Sequence, residues 1–383
     1  MAPTRSRPED FLELVERAKR GRLKVYIGFA AGVGKTYRML EESHALVKRG
    51  VDVVLALIET HGRAETAALI EGLEYVPRRQ VEYRSLAVEE MDLQAVIARR
   101  PQVVIVDEVA HTNAPGSRNR KRYQDVLDIL AAGINVICAF NVQHLESLKD
   151  IVERATGVVI RETVPDSFLK QADQVVNLDL AAEDLLDRLR GGKIYDREKV
   201  EWALAHFFKE GNLAALRELA LREVAESLER SSAPRTAGEA SPTPTTVDRL
   251  MVCMSSFSPR AATLLRRGSR MAGRLNTDWI VAYVETPEEA PHRIDAEAQR
   301  HLLANIEKAR ELGAIVVRLQ GKDPVAVLLH YARLHGVGHI MIGRSHRPWW
   351  QQLMGRSFFP RMIREAGDFD LHIVSLEDRE DRA

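Results

Sequence analysis

The stretch Lys24–Thr36, KVYIGFAAGVGKT, restricts what this chain can become more than any other. Residues 24 to 27 alternate as a buried strand does, five small residues fall within the seven positions from Gly28 to Gly34, and Lys35-Thr36 opens an amphipathic run closed by Gly50. The order is strand, glycine-rich turn, helix. A turn of that kind at a helix N-terminus offers a ring of donors from Gly28, Ala31, Gly32, Val33, Gly34, Lys35, Thr36 and Tyr37, and such a ring wraps a polyphosphate. Lys35 then neutralises the terminal phosphates and the Thr36 hydroxyl holds Mg2+, so the expected ligand is ATP with Mg2+. The usual spacing asks for glycine five residues before Gly34; Phe29 stands there, with Gly28 one step earlier, which leaves the loop entry open. The plain alternative is a glycine-rich turn beside a surface lysine.

Other strand ends carry matching chemistry. In Pro101–Glu108, PQVVIVDE, four apolar residues lead into two acids. Asp107 is expected at Mg2+ or its water and Glu108 toward an attacking hydroxyl or water, against a reading of the pair as a helix cap. The run from Ile134 to Phe140 ends in Asn141-Val142-Gln143-His144, where Asn141 and Gln143 are candidates to sense the γ-phosphate and His144 is equally a cap. The run from Val51 to Ile58 is almost wholly apolar, like a parallel strand buried on both faces. It ends in the polar cluster Glu59–Arg63, at the end of the strand where open α/β sheets bind ligands. Ala110–Asp125 is a polar loop with four basic residues between Arg118 and Arg122, read either as a phosphate or partner contact or as a solvated helix start.

The alternation of strands and helices predicts parallel sheets covered by helices on both faces. Helices are expected over 8–19, 64–72, 88–99 and 145–155, strands near 81–83, 158–161 and 174–178, and an all-helical stretch over 181–229 whose Leu213, Leu216 and Leu219 pack inward. A chain of 383 residues, 45% hydrophobic and 29% charged, exceeds one ordinary domain. Residues 231–247, poor in large apolar side chains, read as a linker between a first domain over 1–230 and a second over 248–378. The second has the pattern of a compact five-stranded α/β sandwich. Equal numbers of acidic and basic residues, 55 each, provide no overall field for nucleic acid or an anionic membrane. No apolar run reaches the length of a membrane span, and the charged N-terminal segment is no secretory signal. Cys138 and Cys253 lie in apolar runs and read as buried thiols, which suits a reducing, cytoplasmic setting.

Long ordered matches then carry a resemblance. GFAAGVGKT (28–36), VDVVLALIETHGR (51–63), VIVDEVAHTNAPGSRNRKRYQDV (104–126), NVQHLESLKD (141–150) and RETVPDSFLKQADQVV (161–176) resemble the cytoplasmic N-terminal part of the KdpD family of potassium-responsive sensor kinases. In that family the first glycine is offset as it is here, which accounts for Phe29; Ala181-Ala182 replace the family's frequent Pro-Pro. The resemblance implies a P-loop NTPase-like parallel-sheet domain followed by a universal-stress-protein-like, Rossmann-like α/β domain. Residues 249–377 are similar to the latter. Their tract of Gly343, His346, Gly355 and Ser357 departs from the ATP motif of universal stress proteins, lacking one glycine and one residue of spacing. For some members the resemblance implies cyclic di-AMP as a ligand. Its candidate positions here are Ser256, Ser258, Trp279 and Tyr283, with Arg344 and Arg356 completing the set, while Ile280 and Val281 replace the family's Thr and Ala. The alternative is a second domain that has lost its ligand.

Full members continue into transmembrane helices and a histidine kinase core, and neither is found in this sequence. The expectation is a soluble ATP-binding regulatory protein in potassium or osmotic signalling, transferring a phosphoryl group to water or a protein serine. The alternative is a non-catalytic nucleotide-sensing module that docks to a sensor kinase or a potassium transporter or channel protein. The oligomeric state stays open.

Overall fold

The computed structural model describes residues 19–83, 86–195, 197–232, 249–255, 261–275, 277–287, 296–344 and 358–375. The expected helix over 8–19 and nearly all of the 231–247 linker lie outside them. The chain divides into two compact units, one holding most residues up to Ser231 and the other those from Ser232 on with the short segments Glu146–Asp150 and Pro165–Ser167.

The first unit begins with β1 (Leu23–Gly28), α1 (Lys35–Val47), β2 (Val53–Leu57), α2 (Ala64–Ala68) and β3 (Glu74–Tyr75). A hairpin follows, β4 (Arg79–Tyr83) and β5 (Leu86–Glu90), then α3 (Leu93–Arg99), β6 (Val103–Val106), α4 (Arg122–Ala131) and β7 (Asn135–Asn141). The order ends with α5 (Lys149–Thr156), α6 (Asp166–Leu169), β8 (Gln174–Leu178), α7 (Ala182–Arg190), α8 (Arg197–His206) and α9 (Glu210–Ser232). Six strands form one parallel sheet in the order β3-β2-β6-β7-β1-β8. The VVLAL of β2 and VVIV of β6 are buried along their whole length, as strands covered on both faces must be. β6 and β7 lie between β1 and β2, so the chain reverses its winding there and opens a crevice at the carboxyl ends of these strands.

Two expectations are corrected. Val88–Glu90 is strand, not helix, because it pairs antiparallel with β4; the helix starts only at Leu93, where Asp92 accepts a bond from Ala95 N at 3.0 Å. Residues 158–161 form no strand. The Glu153 carboxylate takes the Ile160 N–H at 2.8 Å, and the nearby pairing is a single bridge between Leu145 and Val164. The all-helical stretch is present as α7 to α9, with Leu213 and Leu216 buried and Leu219 half-buried.

The second unit is β9 (Arg249–Cys253), α10 (Ala261–Arg274), β10 (Trp279–Glu285), α11 (Ala296–Glu311), β11 (Ile315–Gln320), α12 (Pro324–Leu334), β12 (Val337–Arg344), α13 (Phe358–Glu365) and β13 (Asp370–Ser375). Its five strands are parallel in the order β11-β10-β9-β12-β13, and a core packs on each face. The fold is therefore α/β throughout: a P-loop NTPase-like parallel sheet and then a smaller Rossmann-like sheet. Among the described residues no helix is long and apolar enough to cross a membrane. Cys138 and Cys253 are free and buried; burial pushes the Cys253 thiol up to about 12.

Candidate functional site

β1 delivers Gly28 into register with Asn141 of β7, and the chain then turns through Phe29 and Ala30, both buried. Gly32 and Gly34 adopt φ of 90° and 98°, in the left-handed region where a side chain is strained. Gly34 caps α1 with no side-chain partner, so the first N–H groups of the helix stay available. Arg188 of α7 donates to the Gly32 carbonyl at 2.8 Å and braces the loop from behind. Tyr37 is exposed on the first turn of α1.

Lys35 donates to the Ala30 carbonyl at 3.2 Å and to the Asn141 side-chain carbonyl. Burial pushes its ammonium down to about 8, against the pull of Asp107. Thr36 donates its hydroxyl to Asp107 Oδ2 at 2.7 Å, and both side chains are buried. The other oxygen of Asp107 accepts the Glu108 N–H at 2.9 Å. Burial raises the Asp107 carboxyl above its ordinary value, with the Thr36 bond opposing. A hydroxyl and a carboxylate held this way beside a glycine-rich loop fit Mg2+, which takes one or two protein oxygens and fills its remaining positions with water and phosphate. Among the described residues no cluster of His, Cys, Asp and Glu could hold a metal on protein ligands alone.

Glu108 and His61 arrive from neighbouring strands, β6 and β2, and meet at 3.0 Å, Nε2 to Oε1. Both have left-handed backbones, φ 50° and 49°, although neither is glycine. The contact holds the Glu108 carboxyl below its usual range and raises the His61 imidazole above its own. Behind Glu108, the buried Arg122 donates to its carbonyl at 3.1 Å and to Glu90 at 3.3 Å; His111 lies 3.2 Å from Glu90. One member of the basic 118–122 run is thus an internal brace. His144, half-buried, has its ring nitrogen 2.9 Å from the Glu162 carbonyl, and burial lowers its basicity.

Lys35, Thr36, His61, Asp107, Glu108 and His144 line one cavity of about 600 Å³, together with Asn141, Gln143, Tyr195 and Trp202. Gln143 Oε1 is buried with no partner among the described residues. Lys35, Thr36, Asp107, Glu108, Asn141 and Gln143, expected at a shared site, are brought together. His61 and Arg63 were read from sequence only as members of the Glu59–Arg63 cluster and Arg122 only as one of the basic 118–122 run, and Tyr195 was not read as a site residue. The polar cluster at the end of β2 was the signal that pointed to the first two.

In the second unit Trp279 is 1% exposed and Tyr283 8% exposed, and both belong to the core packed on one face of the sheet. Ser256, Ser258 and Arg356 lie outside the described residues, as does the Arg344 side chain.

The fold and this cluster at the strand ends define a P-loop NTPase-like α/β protein. The chain belongs to the KdpD family: the family described as the osmosensitive K+ channel His kinase sensor domain matches residues 19–228. A sensor protein KdpD of Escherichia coli is 43% identical over 98% of this chain and 42% of its own length. A Synechocystis protein that also carries the KdpD name is 43% identical over 93% of this chain and 95% of its own. The chain thus spans less than half of the first relative and nearly all of the second. A universal stress protein solved in complex with cAMP aligns over 34% of this chain and 98% of its own, at 20% identity and a TM-score of 0.26.

Proposed function

We propose that the first unit, residues 1–230, binds ATP with Mg2+ and transfers the γ-phosphoryl group to water or to a serine hydroxyl of a partner protein, within potassium or osmotic signalling. The observation that carries the reading is the Thr36–Asp107 hydrogen bond beside Lys35, three groups from the first turn of α1 and the end of β6 meeting at one crevice. Backbone N–H groups from Ala31 to Thr36 and the Lys35 ammonium hold the phosphates; Asn141 holds Lys35 and, with Gln143, meets the terminal phosphate. Thr36 and Asp107 would hold Mg2+, which would supply charge neutralisation to the phosphates. The acceptor oxygen forms its bond to phosphorus as the bond from phosphorus to the ADP oxygen breaks, and Glu108 takes the acceptor's proton.

Residues 248–378 form the second domain of this reading, joined by the 231–247 linker and similar to universal stress proteins. We assign it cyclic di-AMP as a candidate ligand, resting on Ser256, Ser258 and Tyr283 in sequence. Trp279 contributes there as core rather than as a stacking platform, given its burial.

The test is incubation with γ-labelled ATP and Mg2+ beside a Lys35→Ala control, following free phosphate and labelled protein separately. Label released or fixed on serine, and lost together with ATP binding in the variant, is the expected result. Tight binding without turnover would instead make the protein a nucleotide-operated docking module for a sensor kinase or potassium transporter. Unchanged ATP affinity in the variant would remove the phosphate-loop assignment.

A further inference from the structure

Arg63 has no role in the reading above. It is the N-cap residue of α2, at the end of the loop that follows β2, and lines the same crevice as Lys35, Thr36 and Asp107. Its guanidinium is half-buried, yet among the described residues it has no carboxylate within ion-pair distance. Its hydrogen bond is a long one, Nη2 to the Ile194 carbonyl at 3.3 Å, and its Nε is buried without a partner. The contrast with other arginines here is direct: Arg122 pairs with Glu90, Arg99 with Asp52 and Glu74, and Arg217 with Asp179. A partly desolvated cation with donors left over is costly in the empty protein unless an anion completes it. The carboxylates that act on Arg63, Asp107 and Glu108, are each already bonded, to Thr36 and to His61, and Arg188 adds positive charge.

The backbone before Arg63 is shaped to hold it there. His61 and Gly62 both take positive φ, 49° and 75°, and the His61–Glu108 contact ties this turn to the strand that carries Asp107. Gly62 takes its φ freely, whereas His61 does so as a non-glycine residue, and such a conformation persists where the surroundings fix it.

We propose that Arg63 is a catalytic arginine supplied by the chain itself, contacting the γ-phosphoryl oxygens as charge builds on them, with His61 as the residue that positions its loop. The proposal rests on the phosphoryl-transfer reading and deepens it: the substrate is an ATP whose terminal phosphate meets Lys35 on one side and Arg63 on the other. No proton moves to or from Arg63; it stabilises charge through two or more N–H donors, a geometry a lysine cannot copy. The site then needs no arginine from a partner to reach its full rate.

The experiment measures ATP affinity, steady-state turnover, and trapping of ADP with aluminium fluoride for the wild type, Arg63→Ala, Arg63→Lys and His61→Ala. For Arg63→Ala the expected result is a fall in kcat of about a thousandfold with ATP affinity changed less than about fivefold, and loss of fluoroaluminate trapping. Arg63→Lys restores little of either. His61→Ala loses a smaller part of kcat, because the loop can still visit the same position. Normal turnover in Arg63→Ala, or trapping equal to the wild type, overturns the inference while leaving the transfer reading intact. A wild type that binds ATP yet neither turns over nor traps the fluoroaluminate removes both. Thermal unfolding of each variant separates these outcomes from simple loss of the fold.

Discussion

The two units solve the same architectural problem with opposite treatments of charge. Each is a parallel sheet whose carboxyl ends lie where a ligand would enter. In the first, those ends carry Lys35, Asp107, Glu108, His61 and Arg63. Arg63 Nε and Gln143 Oε1 are unmatched there, and among the described residues two of the three non-glycine residues with positive φ sit in that crevice. In the second, the described strand ends and helix starts carry paired charges, Asp323 with Arg361 at 2.9 Å, His339 with Asp370 at 3.3 Å, and Glu285 with Arg318, and the unmatched buried nitrogens are those of Arg249, Arg266 and Trp279. Its conspicuous aromatics are inside, Trp279 against the face that carries Leu250 and Val252. A shared topology therefore says where a site can be. Unpaired charge and strained backbone favour one such place over the other.

That contrast can be broken from the second unit's side. If Trp279 is core, Trp279→Ala costs about 3–5 kcal/mol of unfolding free energy in urea, because a large buried ring leaves a cavity its neighbours fill only in part. A near-neutral result would return Trp279 to the surface and restore it as a platform for a ligand. Gly268 of α10 sharpens the same point. A Cβ there would lie 2.6 Å from Val252 Cγ2 and 3.0 Å from the Trp279 ring, so the helix approaches the sheet closely over the indole. Gly268→Ala is expected to cost roughly 1–2 kcal/mol through overpacking, less than the truncation. A stabilised Gly268→Ala protein would mean that the indole has room to move.

Legibility in the sequence followed locality. The loop from Gly28 to Thr36 and the acids after β6 announce themselves because strand, turn and helix are adjacent in the chain, so their chemistry and their placement are read together. The His61–Glu108 contact could not be read so, because it depends on β2 and β6 being neighbours in the sheet. Arg122 sat in a run of basic residues, and nothing local marked it as the one turned inward to Glu90. Val88–Glu90 was ambiguous because a short apolar run fits either period; pairing with β4 decided it. Residues 158–161 have strand-like side chains, but a strand needs a free edge, and a side chain of α5 took the backbone donor first. Trp279 and Tyr283 share one face of β10, and that alternation serves a core as well as it serves a site.

The smallest effect tests the premise that the first unit holds charge at a cost. Burial pushes the Lys35 ammonium from an ordinary 10.5 down to about 8 in the folded protein. Asp107 and Glu108 favour its charged form, Arg63 opposes it, and the Ala30 and Asn141 carbonyls accept from the ammonium. Between those two values the unfolded chain keeps a proton that the folded protein has shed, so stability without ligand rises with pH across that window. In Lys35→Met that rise disappears. The difference between the two proteins should change by an amount on the order of 1 kcal/mol from about pH 7 to about pH 9 in urea unfolding. ATP reverses the sign. Phosphates favour the protonated lysine, so ATP affinity falls as pH passes above about 8, the value at which Lys35 loses its proton. A pH-independent difference between wild type and Lys35→Met would mean that the lysine is solvated in the empty site. The charge asymmetry between the two units would then rest on Arg63 alone.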